Sequence, residues 1–186
     1  MKKIFLIGDS IRLGYQAKLS EELSDCASIL ASSDNARFTT YTIRYLHEWV
    51  QSVARGEDVH LVHWNNGLWD ACHWHGDPLA LVPLETYASN LVRIHSIIRK
   101  LLPNATIVFA STTSVGQNHP RIYNQEIVAM NEIAKEVLSP LGVQFNDLHA
   151  TLGNRLDYLC SDATHFTENG YAFLAHACAL EIRKYL

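Results

Sequence analysis

Apolar and polar positions along this chain follow two periods. Short apolar runs, of the kind that fill buried strands, occupy 3–8, 26–31, Val59–Trp64, Thr106–Ala110 and Val143–Phe145. Between them, apolar side chains return every three or four positions, the spacing of one helix face. The first such stretch covers 12–24, with Leu13, Ala17, Leu19 and Leu23 on one side. A second covers 38–54, where Tyr41, Tyr45, Trp49 and Val53 recur before Arg55-Gly56 ends it. A third opens at Pro83 or Leu84 and runs to Leu102, with Leu84, Tyr87, Leu91, Ile94 and Ile98 aligned, until Pro103-Asn104 breaks it. Residues 121–138 read as a helix, and Pro140 to Gly142 as a turn. Thr167 is placed to cap a last helix that reaches the C-terminus. Residues 65–82 read as a long loop.

Five short apolar strands separated by helices imply an α/β fold in three layers, α/β/α, around a five-stranded parallel sheet. Crossovers between parallel strands are right-handed. The expected strand order is flavodoxin-like, 2-1-3-4-5, which places binding groups beyond the carboxyl ends of strands 1, 3 and 4. Repeats and linkers are absent, so residues 1–186 are expected to form one domain with a sizeable core.

Composition narrows the functional classes. With 48% apolar and 18% charged residues the chain is ordinary for a globular protein. A net charge of −4 and scattered Lys and Arg argue against a nucleic-acid partner. No window approaches a transmembrane span. Met1-Lys2-Lys3 precedes an apolar run too short for a signal sequence, so the expected location is cytoplasmic, with no membrane partner. The four Cys form no CxxC pair, which favours buried thiols over disulfides.

Candidate chemistry starts where the first strand ends, at Gly8-Asp9-Ser10. Gly8 tolerates backbone conformations that other residues resist. Ser10 then stands at the carboxyl end of a strand, where open α/β sheets present reactive groups. It reads as a nucleophile or, with Asp9, as a helix cap. A serine nucleophile needs a base, and the base an orienting group. The segment Ser161-Asp162-Ala163-Thr164-His165-Phe166-Thr167 supplies both, with a carboxylate and an imidazole three residues apart. An acidic loop before a helix is the alternative for that segment alone.

With these two motifs at its ends, the chain resembles the SGNH (GDSL-type) hydrolase superfamily. Gly8-Asp9-Ser10-Ile11 is similar to the family's first block, with Ile where Leu is commonest. Asp162 to His165 is similar to its last block, DxxH, and the continuation to Tyr171 resembles the family's opening of the final helix. The resemblance spans the chain. It implies a flavodoxin-like Ser-His-Asp hydrolase of esters or thioesters, with a small-molecule ester as partner and without metal or other cofactor. It makes Ser10 the nucleophile, His165 the general base and Asp162 the residue that orients His165.

The middle of the chain departs from the family pattern. The GxND block, whose Asn donates to the oxyanion, aligns with Gly67-Leu68-Trp69-Asp70 and puts Trp69 at the Asn position. A subgroup with NxGLHD or NxGLWD is more similar, and makes Asn65 the polar contributor. Asn66 can fill the same role, or both can satisfy turn backbone. The Gly that follows strand 2 in the family has no counterpart in Ser33 to Thr39, so its backbone donor falls to Asn35 or Ala36. Loss of one such donor typically costs about 10²–10³ in rate. Ser111 to Gly116 resembles the family's pocket wall, which makes Thr112, like Asp9, a candidate substrate contact. Asn124 and Asn131, seven apart on one helix face, resemble the subgroup's Asn positions and read equally well as structural.

Three of the four Trp lie within eleven residues, at 64, 69 and 74. Trp64 is expected in the core. Trp69 and Trp74 are candidates for a flat wall that stacks on sugar rings. Cys72, His73 and His75 are types that ligate zinc, but no distant motif completes a four-ligand set, and no metal is expected. The expected function is a serine esterase acting on small acyl esters, acetyl above all, carried on carbohydrates. An acyl-thioesterase or lysophospholipase with an apolar tunnel, and a catalytically silent binding module, are the alternatives.

Overall fold

The computed structural model describes residues 1–186. Strands β1 (Lys2–Ile7), β2 (Ala27–Ala31), β3 (Val59–Trp64), β4 (Thr106–Ala110) and β5 (Gln144–Asn146) form one parallel sheet in the order β2-β1-β3-β4-β5. Ile4, Phe5, Leu6 and Ile7 are all at most 1% exposed, because β1 is covered on both faces. The helices are α1 (Ser10–Glu22), α2 (Thr39–Val53), α3 (Leu84–Leu101), α4 (Asn124–Leu138), α5 (Leu148–Leu152) and α6 (Glu168–Arg183).

Right-handed crossovers explain the layers. The chain steps one way from β1 to β2 and the other way through β3, β4 and β5, so α1 lies on one face and α2, α3 and α4 on the other. On that second face α2 packs on α3 and α3 on α4, while α6 returns to pack against α1. The strand order reverses between β1 and β3, which opens a crevice beyond their carboxyl ends. The α1–α6 contact is close: a methyl group on Gly14 would fall 2.1 Å from the Tyr171 ring.

Several boundaries move for identifiable reasons. Helix α1 begins at Ser10 rather than 12, because the Asp9 Oδ1 accepts the Ile11 N–H at 2.9 Å and starts the helix early. Its buried face carries Ile11, Tyr15 and Leu19; of the expected side, Leu19 and Leu23 are buried and Leu13 and Ala17 are exposed. Helix α4 begins at Asn124 rather than 121, since the N–H groups of Arg121 and Ile122 turn back to the His119 Nδ1 at 3.2 and 2.9 Å. Strand β5 lies one residue later than expected. Helix α5 has five residues, too few for a periodic signal, and the sequence reading lacks it. In α3 the expected stripe is buried at Leu91, Ile94 and Ile98, each contributing about 1.5–3 kcal/mol; Leu84, at the first position, is exposed.

No helix is long and apolar enough to cross a membrane. All four Cys are free; Cys72 and Cys178 are buried, Cys26 is half-buried and Cys160 is exposed, unlike the buried thiol expected there. Trp64 is fully buried and meets Phe109 edge to face at 5.0 Å.

Candidate active site

Ser10, His165 and Asp162 meet although the first two are 155 residues apart. Ser10 is the first residue of α1, directly after the capping Asp9, so cap and candidate nucleophile are neighbours rather than alternatives. The other two come from the loop before α6. That loop is closed by the Cys160 N–H donating to the His165 carbonyl at 2.7 Å and by a bridge between Leu159 and Phe166. Ala163 turns it with a φ of +60°, a left-handed conformation that costs an alanine roughly 1–2 kcal/mol. The turn is held where the Gly116 N–H donates to the Ala163 carbonyl at 2.8 Å.

The Asp162 carboxylate is fully used. Its Oδ1 accepts the N–H groups of Thr164 and His165, both at 2.9 Å. Its Oδ2 lies 2.6 Å from the His165 Nδ1. The hydrogen bond from His165 and those two backbone donors hold the carboxyl down to about 2. An ionised carboxylate accepts only, so the Nδ1 carries the hydrogen and the Nε2 lone pair faces out. That Nε2 lies 2.9 Å from the Ser10 Oγ and accepts its proton's hydrogen bond. The geometry is that of a serine hydroxyl set against an oriented base.

The sequence candidates for an oxyanion donor are mostly occupied elsewhere. Asn66 is fully buried; its Nδ2 donates to the Arg37 carbonyl and the Thr42 Oγ1 at 3.1 and 3.0 Å, and its Oδ1 accepts the Trp64 indole N–H at 2.8 Å. Asn65 spends its Nδ2 on the Ala110 carbonyl at 2.8 Å and on the Thr112 Oγ1 at 3.4 Å, across the β3–β4 gap. The Ala36 N–H donates to the Gly8 carbonyl at 3.1 Å. These three expectations are therefore corrected: each donor already has a partner in the protein. The Asn35 Oδ1 accepts from the Arg37 N–H at 2.8 Å, which leaves its amide hydrogens free, but Asn35 does not line the cleft that holds Ser10. Ser10 itself keeps its backbone N–H, since the first turn of a helix has no intrahelical acceptors. The N–H groups of Gly67 and Leu68 make no hydrogen bond in the protein, and Leu68 lines the cleft.

Asp9 and Thr112 are also corrected as substrate contacts. Both are at most 2% exposed and line a cavity of about 10 Å³, too small for any substrate group. The Asp9 Oδ1 caps the helix, and burial pushes its carboxyl up. Gly8 is required there for space rather than for torsion: a Cβ would fall 2.6 Å from the Arg12 Cβ. Buried Arg12 donates to the carbonyls of Ser32 and Asp34 at 3.1 and 2.7 Å and ties the loop after β2 to the nucleophile turn. Asp70 does the same for the loop after β3. Its Oδ1 accepts from the Thr39 N–H at 2.9 Å and the Thr39 Oγ1 at 2.6 Å, capping α2 from a distance. Burial pushes its carboxyl up to about 7. Asn124 and Asn131 each clasp both backbone groups of one residue, Val115 and Thr112 respectively, and so hold the β4 exit loop to α4.

Ser10 opens into a cleft of about 250 Å³. Trp69 and Trp74 wall it as expected, with ring centres 5.8 Å apart. Sequence reading missed Leu68, His119, Arg121 and Thr164, which also line it. The His119 Nδ1 accepts two backbone N–H groups, so its Nε2 carries the hydrogen and donates to the Thr164 Oγ1 at 2.9 Å. One residue before His165, this bond clasps the Arg121 loop to the Asp162 loop. The Arg121 guanidinium lies 4.4 Å from the centre of the Trp74 ring. Cys72, His73 and His75 do not converge: the His73 Nε2 faces the Glu126 carboxylate at 2.9 Å, and no group of three or more His, Cys, Asp or Glu forms a metal cage.

Neither a family model nor a curated protein matches this chain. Solved structures do. The chain is similar to a lipase/acylhydrolase from Enterococcus faecalis, at 19% identity and a TM-score of 0.78, covering 99% of this chain and 96% of that one. It is similar to an acetylxylan esterase from Geobacillus stearothermophilus, at 18% identity and a TM-score of 0.76, covering 97% and 94%. A GDSL-like lipase from Bacteroides thetaiotaomicron matches at 13% identity and a TM-score of 0.74, covering 100% and 89%. These likenesses establish a shared three-layer α/β/α fold along essentially the whole chain.

Proposed function

We propose that this chain is a carboxylic ester hydrolase of the SGNH/GDSL type, acting through an acyl-enzyme on Ser10. The observation that carries the reading is the continuous line from the Asp162 Oδ2 through His165 to the Ser10 Oγ, with links of 2.6 and 2.9 Å. His165 takes the Ser10 proton as the hydroxyl attacks the acyl carbonyl, then gives it to the departing alcohol. Asp162 holds the imidazole tautomer and stabilises the imidazolium. The developing oxyanion is received at the N-terminus of α1 by the Ser10 N–H, and by the free N–H groups of the Gly67–Leu68 turn. Water then attacks the acyl-enzyme by the same route.

The cleft supports a short acyl group on a polar alcohol. Its lining mixes Leu68, Trp69, Trp74 and Ile122 with His119, Arg121 and Thr164, which suits an acetylated sugar better than a fatty chain. The fold is shared with an acetylxylan esterase, which supports the same substrate class. The test is hydrolysis of p-nitrophenyl acetate together with labelling by a fluorophosphonate. The wild-type protein is expected to turn over and to be labelled at Ser10. Ser10→Ala is expected to lose about 10⁴-fold or more in kcat with an unchanged unfolding midpoint. Undiminished turnover in that variant removes the assignment.

A further inference from the structure

Arg121 is the single Arg or Lys in the lining of the cleft that holds Ser10. An arginine side chain offers five donors in a planar fork. Two other arginines use such forks: Arg12 reaches three backbone carbonyls and Gln16, and Arg183 grips Asp25. The Arg121 side chain makes neither an ion pair nor a hydrogen bond within the protein; its contact is the face of Trp74, at 4.4 Å. Asp162, the carboxylate that lines the same cleft, is committed to His165.

The residue is also held in place. Its N–H donates to the His119 Nδ1 at 3.2 Å, and its carbonyl accepts the His73 N–H at 2.8 Å. The Trp74 ring faces the guanidinium carbon at 4.4 Å, and the N–H groups of the guanidinium are left for a ligand. The backbone that carries the side chain is fixed on both sides, which lowers the freedom lost on binding. Trp69 and Trp74 extend the same wall with an apolar surface, their rings tilted by 38° to each other.

We infer that Arg121 is a carboxylate-binding subsite, and that the ester cleaved at Ser10 is carried on an acidic sugar, with the ring on the tryptophan pair and the carboxylate on the guanidinium edge. The inference deepens the esterase reading and rests on it. A carboxylate matches the fork in a bidentate fashion. One cation beside the Asp162 carboxylate suits a single negative charge rather than the nearly double charge of a phosphate. The chain as a whole is at −4, so an acidic substrate needs a local cation to be held at all.

The experiment compares acetate release from mono-O-acetylated methyl glucuronoside, the matching glucoside and the matching glucose 6-phosphate. The glucuronoside is expected to be favoured over the glucoside by about 10- to 100-fold in kcat/KM, carried by KM and weakened by salt. Arg121→Gln is expected to bring that ratio to about one, and Arg121→Lys to leave part of it. Equal kcat/KM for the two sugars, or a preference that survives Arg121→Gln, overturns the subsite; a stronger preference for the phosphate overturns the carboxylate assignment. Unacetylated methyl glucuronoside, titrated against tryptophan fluorescence, reads the subsite without turnover. It is expected to bind the wild-type protein and not Arg121→Gln. Intact binding without acetate release from any ester removes the esterase reading alone, and absence of binding removes the subsite.

Discussion

Two walls meet at Ser10 and use their polar groups in opposite ways. On one, the side chains of His165 and Asp162 remain 42% and 52% exposed, and their hydrogen bonds run in a single line that ends at the Ser10 hydroxyl. On the other, Asn66, Asp70 and Thr39 are completely buried and bond to one another's loops. Both walls are polar in sequence. The first directs its chemistry outward, toward a ligand, while the second consumes it in joining the loop after β3 to the start of α2. A polar residue beside a nucleophile is thus a reagent or a fastener according to what its hydrogen bonds already hold.

The contrast can be broken from either side. The largest expected effect is on the open wall: Asp162→Asn should lower kcat on p-nitrophenyl acetate by about 10⁴-fold with little change in unfolding. An amide there offers His165 a donor where it needs an acceptor. A loss below tenfold would mean that the line from Asp162 to Ser10 carries no chemistry. On the buried wall, Asn66→Ala strands the Trp64 indole N–H and the Arg37 carbonyl and removes a donor from the Thr42 Oγ1, which keeps its bond to the Ala36 carbonyl. It should cost about 2–4 kcal/mol in urea unfolding, with kcat lowered less than tenfold. Full stability with a 10²-fold loss in kcat would turn Asn66 from fastener to reagent.

The smallest effect is one of pH. The Asp70 carboxyl is raised from its ordinary 3.8 to about 7 by burial. Its contribution to stability is complete below pH 4 or so and is lost as pH rises through 7, because the unfolded chain ionises first. Asp70→Asn, which keeps an acceptor for Thr39, should be about 1–3 kcal/mol more stable than wild type at pH 8 and close to it at pH 4, measured by urea unfolding at both. A wild-type slope that persists in the variant would place the titration elsewhere. His63 acts in the other direction: burial lowers it to about 4, so its share of stability is lost as pH falls from 6.5 toward 4.

The same contrast explains what could be read from the sequence. The strands were legible because buried parallel strands are apolar throughout, and β3 and β4 lie at the expected residues. Asp162 and His165 were legible because their partnership is local, three residues apart. The state of Asn65 and Asn66 was not legible, because it is decided by Ala110 and Arg37, 45 and 29 residues away. The face of α1 was read in part: Leu19 and Leu23 are buried as expected, while Leu13 and Ala17 are exposed and Ile11 and Tyr15 take the core side. Arg121 left no signal at all: a lone arginine in a loop becomes notable only when Trp74 is seen beneath it.

Helix α1 begins with Ser10, and α6 follows three residues after His165. The two helices are pressed together where Gly14 admits the Tyr171 ring. The separation of nucleophile and base is therefore a dimension of the framework, set by a joint without slack, rather than an adjustment made afresh by mobile segments. Loops that do not touch the segment from Asp162 to His165 can change length and composition without misaligning the pair. A single added methyl at Gly14 cannot be absorbed in this way, since it would wedge the helices apart and lengthen the 2.9 Å link on which the chemistry depends.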